Sequence, residues 1–115
     1  MSLAQALSAK SIDAAVALSW ASEVATRVRA ASTPERIILF GSAVDGRFKE
    51  GSDLDLLLIY ADAAVLRSAR SGIRQGGRLS VHCPVDLIFV TTQRFAAYCD
   101  LGGICYVAAH EGVDL

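Results

Sequence analysis

The stretch Arg36-Ile37-Ile38-Leu39-Phe40-Gly41-Ser42, followed after ten residues by Asp53-Leu54-Asp55-Leu56-Leu57-Leu58-Ile59-Tyr60, decides how this chain is read. The first run is short, apolar and rich in β-branched residues, which predicts a buried strand closed by a glycine-serine turn. A glycine there lets backbone N–H groups approach a phosphate closely, and the Ser42 hydroxyl adds a donor at the start of a turn or helix. The second run predicts another strand, on which alternation puts Asp53, Asp55, Leu57 and Ile59 on one face. Two carboxylates therefore point the same way, just beyond a phosphate-compatible turn. The intervening residues 44–50 are polar and leave room for a short helix.

A third acid joins them. Asp86 interrupts the apolar hexamer Val85-Asp86-Leu87-Ile88-Phe89-Val90, which follows Pro84 and predicts a further strand. Burying a lone carboxylate is costly, so Asp86 calls for a partner. If its strand lies beside that of Asp53 and Asp55, each like-charged pair at ~4 Å costs on the order of 4 kcal/mol at an effective dielectric of ~20. A divalent cation relieves that cost. Oxygen ligands alone select a hard ion that keeps positions open for phosphate, which points to Mg²⁺, or Mn²⁺, bound as two ions.

Around this centre the chain alternates helical and extended patterns. Residues 11–30 carry Ile12, Val16, Trp20, Val24 and Val28 every fourth position beside Ala17, Ala21 and Ala25, predicting an amphipathic helix with Ser11 as N-cap. Residues 61–75 predict a second helix with Val65, Leu66, Ala69 and Ile73 inward. Arg67, Arg70, Arg74 and Arg78 would line one face of it if it continued. This row is either a solvated face or a docking surface for an acidic partner or for phosphates. Leu79-Ser80-Val81 offers the start of a strand, Thr91-Thr92 caps a helix running to about residue 101, Gly102-Gly103 stops it, and residues 104–110 form a last short helix.

With 115 residues, 53% of them hydrophobic, the chain is expected to form a single domain spanning residues 1–115. Its formal net charge of −1 lacks the basic excess that phosphate-backbone binding usually shows, which disfavours a long nucleic acid and favours a small anion or a protein. Cys83, Cys99 and Cys105 are odd in number and show no metal-ligand spacing, so they are read as reduced thiols. His82 and Cys83, adjacent on a strand, would face opposite ways and make a poor ligand pair. Neither a membrane span nor a signal sequence is visible, so no membrane role and a cytoplasmic location are expected.

These residues resemble the nucleotidyltransferase superfamily that includes DNA polymerase beta, whose signature is a Gly-Ser pair, a spacer, D-x-D and a third acid on a later strand. The match is Gly41-Ser42, Gly51-Ser52-Asp53-Leu54-Asp55-Leu56 and Val85-Asp86-Leu87. At this length the chain looks most like a minimal nucleotidyltransferase. The resemblance implies an α+β palm-like fold, a small mixed sheet with helices packed mainly on one face. It implies that Gly41, Ser42 and Ser52 hold the triphosphate of ATP or another NTP, and that Asp53, Asp55 and Asp86 are the catalytic, metal-binding acids. The chain departs from the family's G-S-x-A-R-G at Asp45, which stands where the arginine is expected; Arg47, or else Lys49, is expected to reach the triphosphate in its place, with a solvated loop as the alternative for both.

In the minimal subfamily the resemblance implies transfer of AMP to a hydroxyl on a HEPN-domain toxin, an antitoxin role. Two other readings stand beside it: a catalytically weak antitoxin that binds nucleotide and partner, favoured by Asp45, and an enzyme modifying a small molecule such as an antibiotic. The sequence leaves a homo-oligomer open.

Overall fold

The computed structural model describes residues 10–115. Helix α1 spans Ala14–Ala31, strand β1 Arg36–Phe40, the single turn α2 Ser42–Asp45 and strand β2 Leu54–Tyr60. Then come α3 (Ala63–Gln75), β3 (Val85–Thr91), α4 (Thr92–Tyr98), α5 (Gly103–Glu111) and the two-residue strand β4 (Val113–Asp114). The strands form one mixed sheet in the order β3-β2-β1-β4, with β1 antiparallel to β2 and β4, and β2 parallel to β3. Parallel neighbours need a crossover. Here α3 supplies it.

Alternation sorts the strand residues onto two faces. Ile37, Leu39, Leu54, Leu56, Leu58 and Tyr60 pack against the two longest helices, α1 and α3. Ile38, Phe40, Leu57, Ile59 and Val90 face the shorter α4 and α5, where Cys105, Ala108 and Phe95 cover them. β2 is central and buried along nearly its whole length, which explains why its sequence is a continuous apolar run rather than an alternating one. The face over α1 is lined by small side chains: Ala17, Ala21 and Ala25 are buried with Val24 and Val28, whereas Val16 is 40% exposed. The helix is therefore rotated toward its alanines, which bring its backbone close to the sheet.

Several local expectations are corrected. Ser11 is not the cap of α1; it bridges Lys49, and Asp13 caps instead, its carboxylate accepting from the Ala15 amide at 2.7 Å. Aspartate is as good a cap as serine, and the segment before it is held extended by the Ile12 amide donating to the Phe48 carbonyl. Residues 79–81 form no strand. Helix α3 stops at Gln75 with Gly76 as its cap, so Arg78 leaves the arginine row, and its carbonyl accepts from Arg27 Nη1 at 2.8 Å. α4 ends at Tyr98, earlier than residue 101.

Residues 77–85 are pinned from outside the sheet. His82 lies flat on Trp20 of α1, ring centroids 4.8 Å apart, and its Nε2 is 3.1 Å from the Glu23 carboxylate. That contact occupies His82 and removes it from Cys83 as a ligand pair. Cys83 and Cys99 are half-buried, Cys105 is buried, and all three are free thiols.

Candidate active site

The register of the sheet assembles the acids. Asp55 is paired with Asp86 across the parallel β2–β3 ladder and with Phe40 across the antiparallel β1–β2 ladder. Adjacent strands are about 4.8 Å apart, so the two carboxylates leave neighbouring backbones side by side. Both stand on the face that carries Leu57, Ile59, Ile88 and Val90, the face of α4 and α5. Asp53 lies just before β2, in the turn that follows Gly51, whose φ of +88° reverses the chain. Asp55 is half-buried; Asp53 and Asp86 are exposed. The expectation of a buried Asp86 is thus corrected. β3 is an edge strand, and its first residues open to solvent.

The other two charges act on Asp55. Burial, and then the charges of Asp86 and Asp53, push the Asp55 carboxyl above its ordinary range. Among the described residues none of the three is in an ion pair. Negative charge is therefore concentrated at the mouth of β2 and β3 without a compensating side chain.

Gly41 meets this cluster from the other side. It ends β1 with φ +78° and ψ −150°, a conformation open to glycine and strained for any other residue. The Asp55 carboxylate lies where a Cβ on residue 41 would stand. The Gly41 carbonyl accepts from the amides of Val44 and Asp45, which turns Ser42–Asp45 into a helical turn. Ser42 and Ala43 are its first residues, so their N–H groups have no intrahelical acceptor. Ser52 Oγ accepts from the Lys49 amide at 3.2 Å, which fixes the loop before Asp53 and leaves the hydroxyl hydrogen available.

Arg47, expected to reach the triphosphate, stands at the cleft beside Gly41 and is paired there with Asp45. Its Nε donates to Asp45 Oδ2 at 2.9 Å, and its amide donates to Asp45 Oδ1 at 3.1 Å. This fork holds the Asp45 carboxyl below its ordinary range. The acid that replaces the expected arginine is therefore neutralised by the residue two positions on.

Asp45 and Arg47 line a cleft of about 530 Å³ together with Gly41, Val44, Val107 and Glu111. Val107 and Glu111, on α5, escaped sequence reasoning. Their distance in sequence from Gly41 hides the contact. A second concavity of about 560 Å³ follows residues 77–85 on the side of Cys83, whose thiol is pushed up by burial and by the charge of Asp53. A thiol so placed is a poor nucleophile.

The donor set can be tested against the divalent ions it implies. Three carboxylates offer only hard oxygen atoms, which suits Mg²⁺ or Mn²⁺ and disfavours Zn²⁺. Among the described residues no three His, Cys, Asp or Glu side chains are close enough to enclose an ion by themselves. Mg²⁺ rarely needs such a cage, because it keeps waters and takes substrate phosphates beside one or two carboxylates. The residues fit the ion in that open form.

The model of the nucleotidyltransferase domain family matches residues 21–102, a span running from α1 past β3 and α4 and including Gly41, Ser42, Asp53, Asp55 and Asp86. No match was found among curated proteins or among solved structures. No helix among the described residues is long and apolar enough to cross a membrane. The mixed sheet, its helices and the matched span agree in assigning the fold, and the chain belongs to the nucleotidyltransferase domain family, within the polymerase beta-like superfamily.

Proposed function

We propose that this chain transfers a nucleoside monophosphate, AMP from ATP, to a hydroxyl group of a protein, with pyrophosphate leaving. The observation that carries this reading is the meeting of Asp55 with both Asp86 and Gly41: acid, acid and phosphate-compatible turn lie on three adjoining backbones. In this reading the free N–H groups of Ser42 and Ala43 and the hydroxyls of Ser42 and Ser52 hold the triphosphate. Asp53 and Asp55 hold two Mg²⁺ ions with its oxygens, and Asp86 completes the site on the side of the acceptor. When bound, the ions supply charge neutralisation at the α-phosphate and at the departing pyrophosphate. The chain's own residues align the attacking oxygen opposite the leaving group and keep both in place. Asp86, exposed at the strand edge, accepts the acceptor's hydroxyl hydrogen bond from the solvent side.

A protein acceptor suits the surface beside Asp86. Ile88, the next residue on that face, opens into a cleft of about 320 Å³ lined by Arg94, Tyr98 and Ile104 among others. Of these, Tyr98 and Ile104 are exposed. Following the resemblance to minimal nucleotidyltransferases, we take the acceptor to be a HEPN-type toxin and the role to be that of an antitoxin. The alternative of a binding-only antitoxin rested on Asp45, and its pairing with Arg47 weakens that argument.

The test is incubation with ATP labelled at the α-phosphate, Mg²⁺ and the product of the adjacent gene. Label on the partner that disappears with Asp53→Ala supports transfer. Neutralisation of the partner without label supports the binding-only reading, and label on neither with an unaffected partner sinks both.

A further inference from the structure

We infer that the arginine row of α3 is a docking surface for an acidic segment of a protein partner, the acceptor in the function proposed above, on which this inference rests. Arg67, Arg70 and Arg74 are exposed on successive turns and, with Ser71 and Gln75, line a shallow concavity of about 410 Å³. The helix from Ala63 to Gln75 contains no acid. None of the three guanidinium groups takes part in an ion pair among the described residues, and residues 1–9 contain no Asp or Glu. In a chain of net charge −1, three adjacent cations without counter-charges are a local excess that an anionic surface would complement.

The chemistry favours a protein over a nucleic acid. α3 carries no aromatic residue on which a base could stack. Arginines three and four positions apart stand about 5–6 Å from one another, the pitch at which a second helix presents its own carboxylates. Each guanidinium fork donates two parallel N–H bonds to one carboxylate.

Position links the row to the chemistry. The Arg70 guanidinium lies over the Phe89 ring, 5.1 Å from its centroid, and Phe89 stands on β3 three residues from Asp86. That separation is about 10 Å along a strand. β3 is the edge of the sheet among the described residues, so none of their strands stands between the arginine side and the acid side there. A partner seated on the row can reach round the edge to Asp86.

The test measures binding, not transfer, so its failure is separate from failure of the catalytic reading. The probe is a fluorescein-labelled alanine-based helical peptide with glutamates at every third or fourth position, compared with a single-stranded RNA oligonucleotide of equal charge. Anisotropy is read at physiological salt with wild type, Asp53→Asn and the triple variant Arg67→Glu/Arg70→Glu/Arg74→Glu. Wild type and Asp53→Asn are expected to bind the peptide alike. The triple variant should lose about tenfold or more in affinity, with unchanged affinity for a fluorescent ATP analogue. If the triple variant does not fold, Arg67→Ala and Arg74→Ala each serve, with an expected loss of about two- to threefold. Peptide affinity that ignores these substitutions overturns the inference. So does an RNA bound more tightly than the peptide through the same arginines.

Discussion

Gly41 and Asp55 are mutually exclusive with any larger residue at position 41, because the Asp55 carboxylate occupies the place of the missing Cβ. Gly41→Ala combines this clash with the strain of a positive φ. Gly46, at φ +89°, has nothing within 4 Å of its absent Cβ, so Gly46→Ala measures the backbone cost alone. That control should lose about 1 kcal/mol, and Gly41→Ala about 2–4 kcal/mol, by urea denaturation. In an Asp55→Ala background the excess at Gly41 should largely vanish, since the oxygen that opposes the Cβ is gone.

Asp55 should make the metal-free protein lose stability as pH rises. Its carboxyl is raised by burial and by Asp86 and Asp53. Below about pH 4, the ordinary carboxylate range, folded and unfolded chains both hold the proton and nothing is lost. Above it the unfolded chain ionises first, the folded chain binds more protons, and stability falls until the raised folded value is passed. Asp55→Asn is therefore expected to be more stable than wild type at pH 7 and equal to it near pH 3, with transfer abolished. Urea melts across pH read the first effect, and Mg²⁺ should narrow the gap by stabilising only the wild type.

Asp45 and Arg47 predict opposite changes in nucleotide affinity. Arg47→Ala leaves the Asp45 carboxylate unpaired at the cleft beside Gly41, which should weaken ATP binding several-fold. Asp45→Asn frees the guanidinium and should tighten it. Both side chains are exposed, so stability should move by less than about 0.5 kcal/mol in either variant. Fluorescence titration with an ATP analogue checks the pair.

Tyr60 is fully buried, and its hydroxyl lies 2.9 Å from Ser32 Oγ, which itself donates to the Val28 carbonyl. Burial pushes the phenol above its ordinary value, the Ser32 contact opposing in part. The neutral phenol keeps its full contribution below about pH 10, and above that value stability is lost as the unfolded chain ionises first. Tyr60→Phe should cost about 1 kcal/mol at pH 7 and should flatten this alkaline loss, as read by circular dichroism.

The strands and the acid face were legible because their signals are local. A buried strand announces itself as an apolar run, and alternation puts Asp55 on the face of Leu57 and Ile59, whereas Asp53, read as the strand's first residue, lies in the turn before it. That Asp86 would stand beside Asp55 was conditional on strand order, which one sequence does not contain. Its exposure was misread because a hexamer with one acid looks the same in the centre of a sheet as at its edge. Ser11 failed as a cap because Asp13, two residues on, offers an equal acceptor and begins the helix where the alanine face can dock. Glu111 and Val107 were invisible for a different reason. They join Gly41 only after α5 folds across the second face, a contact between distant segments with no pattern of its own.

The crossover through α3 has a consequence for how the proposed ion site forms. Asp55 and Asp86 become neighbours only through a long-range parallel pairing, and that pairing exists only while α3 lies against the sheet and residues 77–85 are anchored on Trp20. No hairpin or isolated segment of the chain can imitate the site. Divalent-ion affinity should thus appear late in refolding, in the same kinetic phase as global protection of the β2 amides from hydrogen exchange, so that ion binding becomes a gauge of the finished molecule.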